Sequence, residues 1–160
     1  MILAYIRWAV RRDLALMLAI ESESFSQEGM WTEDDFMSAL RQRNTVACVA
    51  EHDGQVVGFV VYEYHRDRLH ILNIAVNQKF RRRRVGTQLI QQLVKKLSPV
   101  VRKEIRLEVR ETNLSAQQFF RACGFKATQV LRGFYVDQIG VDDDAYQMQY
   151  WLDSREPALV

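Results

Sequence analysis

Two prolines, seven glycines and two cysteines in 160 residues leave little from which to build linkers, collagen-like repeats or a disulfide framework. No internal repeat or low-complexity tract is present. Cys48 and Cys123 lack Cys-x-x-Cys spacing and read as small buried hydrophobes. His52, His65 and His70 show no metal-ligand spacing, so no metal is expected. No apolar run approaches the roughly eighteen residues of a membrane span, and the start Met1-Ile2-Leu3-Ala4-Tyr5-Ile6-Arg7 lacks the long apolar segment after a basic start expected of a signal peptide. A cytoplasmic chain with no membrane partner is therefore expected. A large excess of charge of one sign is also missing. The 22 Lys and Arg against 20 Asp and Glu leave a formal +2, too small by itself to mark a nucleic-acid protein.

Hydrophobic residues make up 48% and charged residues 26%, as in ordinary globular proteins, and the length is that of one domain. A single domain over 1–153 is expected, followed by a short C-terminal tail at 154–160 whose polar residues and Pro157 point to a frayed end. Monomer and homodimer both remain open.

The spacing predicts a strand at 3–7, then a helix at 13–24 with Leu14, Met17, Leu18 and Glu21 at helical intervals. Thr32, with Asp35 three residues on, resembles a capping box opening a helix over 33–41. Strands at 45–51 and 55–64 flank His52-Asp53-Gly54, a tight hairpin turn. A strand at 69–76 follows, then a helix whose face is Val85, Leu89, Leu93 and Leu97, ended by Ser98-Pro99. A strand at 105–109 leads to Asn113, a plausible N-cap for a helix at 114–123, with Gly124 at its C′ position. Strands at 125–131 and 145–152, joined by a long acidic loop, complete an α+β pattern.

Between the 69–76 strand and the following helix lies a basic turn, Arg81-Arg82-Arg83-Arg84, followed by Val85-Gly86-Thr87. Such a turn is suited to phosphate. The first N–H groups of a helix have no partner within it and sit at the positive end of its dipole. Arginines add side-chain contacts, and Gly86 lets the backbone come close. Further on stand Leu107-Glu108-Val109-Arg110, Asn113, and Phe119-Phe120-Arg121-Ala122-Cys123-Gly124-Phe125.

Arg-x-x-Arg-x-Gly at 81–86 after Asn-Ile-Ala-Val, with Leu-Glu-Val-Arg and Gly-Phe at their spacing, resembles the GCN5-related N-acetyltransferases (GNAT), most closely the RimI-type ribosomal-protein alanine N-acetyltransferases. The likeness runs from about Ile6 to Trp151, and it implies a mixed, mostly antiparallel GNAT sheet of about seven strands, splayed between the fourth and fifth, with about four helices on both faces. It implies acetyl-CoA as cosubstrate and a primary amine as acceptor: a peptide or protein N-terminus, or a small amine. It also implies that Ile74, Ala75 and Val76 pair with the pantetheine arm as an added strand would. The pyrophosphate would lie on the N–H groups of Arg82, Arg83, Arg84, Val85, Gly86 and Thr87, with Arg81 or Arg84 reaching an oxygen.

By the same resemblance Glu108 is the general base and Asn113 contacts the donor's arm. The acceptor is lined by the loop at 25–31 and by a turn at 132–135. Two positions depart from the family pattern. Arg84 stands where it has glycine, and Phe120 stands on the donor side where a tyrosine would protonate the leaving thiolate. Water, Tyr135 or another tyrosine would then supply that proton. Two other classes stay open: a coenzyme A-binding module without catalysis, which binds donor without releasing thiol, and a nucleic-acid protein, whose affinity falls steeply with salt.

Overall fold

The computed structural model describes residues 1–24, 29–136, 140 and 142–152. The described residues form one seven-stranded sheet and four α-helices. The strands are β1 (Tyr5–Trp8), β2 (Thr45–His52), β3 (Gln55–Tyr64), β4 (Arg68–Val76), β5 (Glu104–Arg110), β6 (Lys126–Val136) and β7 (Asp142–Trp151). The helices are α1 (Leu14–Ser24), α2 (Glu33–Leu40), α3 (Val85–Val94) and α4 (Leu114–Ala122). Sheet order is β1-β2-β3-β4-β5-β7-β6. Among the described residues no helix is long and apolar enough to cross a membrane.

The chain divides into two compact units, Met1–Tyr64 with Ile71–Lys95, and His65–His70 with Lys96–Val160. In the first, β1 and β3 pair antiparallel with β2. The β2–β3 turn forms as expected: Asp53 and Gly54 take φ of 50° and 74°, the paired positive values of a type I′ hairpin. Thr32 and Asp35 form the capping box at the start of α2. Met17, Ile20, Phe36, Val49, Phe59 and Val61 make the core. Helix α3 buries Val85, Leu89, Ile90 and Leu93 but ends at Val94, before the expected Ser98-Pro99 stop. Lys95 is the C-cap, and residues 98–102 form a separate turn in which Ser98 N–H donates to Arg102 O at 2.7 Å.

Under the β1 edge, Arg7 donates to both oxygens of the buried Asp13 (2.7 and 2.9 Å) and to Glu51 (3.0 Å). Losing one partner of a fully buried ion pair costs about 3–5 kcal/mol; Arg7 is 19% exposed, so about 2 kcal/mol is expected for Arg7→Met, read from the urea midpoint. The Arg7 guanidinium holds the Asp13 carboxyl below its ordinary range. The stability this pair contributes is therefore present above the unfolded value of about 3.9 and is lost as pH falls through the lower folded value. Arg7→Met should flatten that acid limb.

In the second unit β5 pairs antiparallel with β7 along its whole length. It runs parallel to β4 through three pairs, Arg68–Glu104, Leu69–Ile105 and His70–Arg106. Alternation along β5 buries Ile105, Leu107 and Val109 and turns Arg106, Glu108 and Arg110 to the other face. Asn113 caps α4 through Oδ1, which accepts from Ala116 N–H at 3.1 Å, and Gly124 follows with φ of 96°.

Two expectations are corrected here. Residues 132–135 are not a turn but part of β6, and Asp142, Asp143 and Asp144 are not loop but the start of β7. The pairing jumps from Leu131–Ala145 to Tyr135–Asp143, a bulge on the β6 side where Gly133 takes φ of 60°. Asp144 holds it by accepting from Gly133 N–H at 2.8 Å and from Arg132 at 3.2 Å. Two of the three carboxylates expected in an acidic loop thus have partners on neighbouring strands, Asp144 here and Asp143 through Arg110. The expected tail at 154–160 lies outside the described residues.

Candidate active site

The basic turn at 81–84 is built in the first unit. After β4 a short 3-10 turn at 78–80 carries the chain into the arginines, and Arg82 and Arg84 take φ of 60° and 65°. Arg84 is the N-cap of α3, and Gln88 N–H makes the helix's opening bond to its carbonyl at 3.1 Å. The N–H groups of Val85, Gly86 and Thr87 precede that bond, at the positive end of the helix. The loop is anchored from behind by Gln88, whose side chain bonds Ile2 O, Ala4 N–H and Arg84 O (2.7, 3.0 and 3.1 Å).

The four arginines do different work. Arg81 folds back, its Nε donating to Val76 O at 3.2 Å and its Nη2 to Ser24 at 3.0 Å. It braces the end of β4. Arg83 sits over the Phe80 ring at 5.8 Å. Arg82 and Arg84 are exposed, with no side-chain partner among the described residues.

Ile74, Ala75 and Val76 close β4 beyond its last pair with β5. Gly58 on β3, which sequence reasoning passed over, lies against them. A Cβ there would stand 3.1 Å from Ala75 O and 3.3 Å from a Val85 methyl, so a side chain would push on both the strand end and the first residue of α3.

The second unit gathers Glu108, His70, Arg110 and Tyr135. Glu108 Oε2 bonds His70 Nε2 at 2.7 Å, and both side chains keep some exposure, 16% and 20%. Arg110 stacks over the Tyr135 ring at 4.1 Å while pairing with Asp143 at 2.8 Å. Burial holds the Tyr135 hydroxyl above its usual range; the Arg110 cation pulls it back and the Glu108 charge adds to the rise. Tyr135 therefore stays protonated at neutral pH and can act as a donor. His70 was missed because its partner lies 38 residues away. Nothing in its local sequence separates it from other strand residues.

Asn113 spends Oδ1 on its cap, which leaves the amide nitrogen of the same side chain for another contact. Phe120 is 5% exposed, packed against Phe119 (5.1 Å) and Phe125 (5.5 Å). Among the described residues no group of His, Cys, Asp and Glu gathers to hold a metal.

The family model for the acetyltransferase (GNAT) family matches residues 5–125. The chain belongs to that family. It is 34% identical over 126 residues to an N-alpha-acetyltransferase of Sulfurisphaera tokodaii, covering 71% of this chain and 73% of the relative. It is 26% identical over 113 residues to the ribosomal protein bS18-alanine N-acetyltransferase of Escherichia coli, with 71% and 76% covered. The crystal structure of Ard1 from Thermoplasma volcanium superposes with a TM-score of 0.80 at 28% identity, over 94% of this chain and 99% of that one. This GNAT chain is thus an acetyl-CoA-dependent N-acetyltransferase.

For a GNAT chain, Arg84 is then a left-handed residue at a position where the family pattern has glycine. A non-glycine residue pays roughly 1–2 kcal/mol there, partly offset by the greater unfolded freedom of glycine. Arg84→Gly is expected to stabilise the protein by about 0.5–1 kcal/mol, seen as a melting temperature higher by about 1–4 °C.

Proposed function

We propose that this chain acetylates the α-amine at the N-terminus of a protein or peptide, with Glu108 as proton acceptor. The observation that carries the reading is the 2.7 Å pair of Glu108 with His70, set beside a tyrosine kept protonated. Similarity to an N-alpha-acetyltransferase and to a ribosomal-protein alanine N-acetyltransferase supports the choice of acceptor.

The first unit's residues bind the donor. Pyrophosphate rests on the N–H groups of 82–87, Arg82 and Arg84 supply the free guanidinium groups, and the pantetheine arm runs along Ile74, Ala75 and Val76. The second unit's residues handle protons. The neutral amine attacks the thioester carbonyl, its proton passes to the Glu108 carboxylate directly or through water, and the C–S bond breaks. Tyr135 protonates the departing thiolate. His70 holds the carboxylate in one orientation. An α-amine ordinarily titrates at about 7.7–8.0 and so loses its proton far more readily than a lysine amine at about 10.4, which suits a carboxylate base. A cytoplasmic setting, where acetyl-CoA is available, fits the reaction.

The test is thiol release from acetyl-CoA with a panel of N-terminal peptides and a set of small amines, beside donor binding by calorimetry. Peptide-dependent turnover is expected. Turnover on small amines alone would move the acceptor assignment to that class, and donor binding with no turnover would favour a binding module.

A further inference from the structure

Glu21 lies on α1 among its buried residues, with Met17 and Ile20, and is 1% exposed. Among the described residues it has no cationic partner. Its Oε1 accepts from Trp31 N–H at 3.0 Å and its Oε2 from Asn73 Nδ2 at 2.9 Å. A carboxylate held this deep by neutral donors is costly, since burial opposes its charge and two neutral hydrogen bonds only partly compensate. Burial pushes its carboxyl pKa up, the bonds from Trp31 and Asn73 pull it down, and Asp35 adds to the rise. Leucine or methionine would fill the space at lower cost. What an apolar residue would not do is join two backbone segments.

Those segments matter. Trp31 immediately precedes the N-cap of α2, and its ring stands edge-on to Phe36 at 5.0 Å, which in turn meets Phe59 at 5.6 Å. Asn73, 8% exposed, is the β4 residue directly before Ile74, Ala75 and Val76. One carboxylate therefore ties the lead-in to α2 to the strand proposed to carry the donor's arm.

Resting on the functional reading above, we infer that Glu21 is a positioning residue of the transferase, fixing the Trp31 segment on the acceptor side against β4 through its two hydrogen bonds. Its effect is on acceptor binding. Donor affinity, set by the turn at 81–87 and by the backbone of Ile74, Ala75 and Val76, changes little.

The test compares Glu21→Leu, Glu21→Gln and Asn73→Ala by steady-state kinetics on the best N-terminal peptide, with acetyl-CoA Kd and melting temperature measured on the same preparations. Glu21→Leu should raise the peptide KM about tenfold or more while the acetyl-CoA Kd stays within about twofold. Glu21→Gln keeps an oxygen for Trp31 N–H, and a flipped Asn73 amide can accept from its new NH2, so KM should return to within about threefold of wild type. Asn73→Ala should fall between and decides the matter if Glu21→Leu does not fold. An unchanged peptide KM in the folded variants overturns the inference. So does a rise in KM matched by an equal loss of donor affinity, the sign of general loosening. A wild type with no peptide-dependent turnover overturns the acceptor reading and this inference with it, whereas an active wild type with indifferent variants overturns this inference alone.

Discussion

Glu108→Gln should lower kcat on the peptide acceptor by about 10²–10⁴-fold, the usual contribution of a positioned general base, with the acetyl-CoA Kd held within about twofold. The amide is nearly isosteric and keeps an oxygen toward His70, so packing on β5 survives while the proton acceptor is lost. His70→Asn keeps Glu108 and removes the ring that orients it. Its loss should be smaller, about tenfold, and should fall on kcat more than on KM. The double variant tests whether the two act as a unit. If His70 works only through Glu108, the pair loses little more than Glu108→Gln alone. A Glu108→Gln enzyme with wild-type kcat would remove the carboxylate from the mechanism and leave proton transfer to solvent.

Local chemistry made much of this fold readable in advance. Asp53-Gly54 dictated a hairpin because two successive positive φ values suit that pair, and Thr32 with Asp35 marked a helix start because each satisfies the other's N–H. The strand and turn at 74–87 and the cap at Asn113 were legible for the same reason: each is a rule about neighbours in sequence. What escaped depended on distant partners. Glu21 appeared as one member of a helical face with Leu14, Met17 and Leu18, and its polarity on that face was the clue to a buried bond with Asn73, 52 residues away. His70 and Gly58 carry no local signal that separates them from ordinary strand residues. The β6 bulge was misread because three aspartates look like a solvated loop until Arg110, Arg132 and Gly133 N–H are found against two of them.

Arg84 and Phe120, the two departures from the family pattern, have different physical standing. Arg84 takes on the backbone conformation that glycine would supply, at φ of 65°, so the turn keeps its shape and gains a guanidinium. On the functional reading proposed above, the change concerns donor binding as well as stability. Phe120 gains nothing polar and is sealed into a ring cluster with Phe119 and Phe125. On the same reading, that change concerns the proton for the leaving thiolate.

Tyr135→Phe is therefore expected to lower kcat by about 10²-fold or more, the lower range for a general acid, with donor and peptide binding little altered. The ring stays stacked under Arg110, so only the hydroxyl is tested. Phe120→Tyr supplies the complement. If Tyr135 already donates the proton, a hydroxyl at position 120 adds little to the wild type but restores part of the activity of Tyr135→Phe, because a second acid then stands where the family pattern has its tyrosine. The added hydroxyl enters a site that is 5% exposed, and unless it finds a partner it costs about 1–3 kcal/mol, so melting temperature must be followed in parallel. If instead Tyr135→Phe retains full kcat and Phe120→Tyr raises it in the wild-type background, water is the acid in this chain and Tyr135 serves only to pack beneath Arg110. The two single variants and their combination thus separate a relocated acid from a missing one.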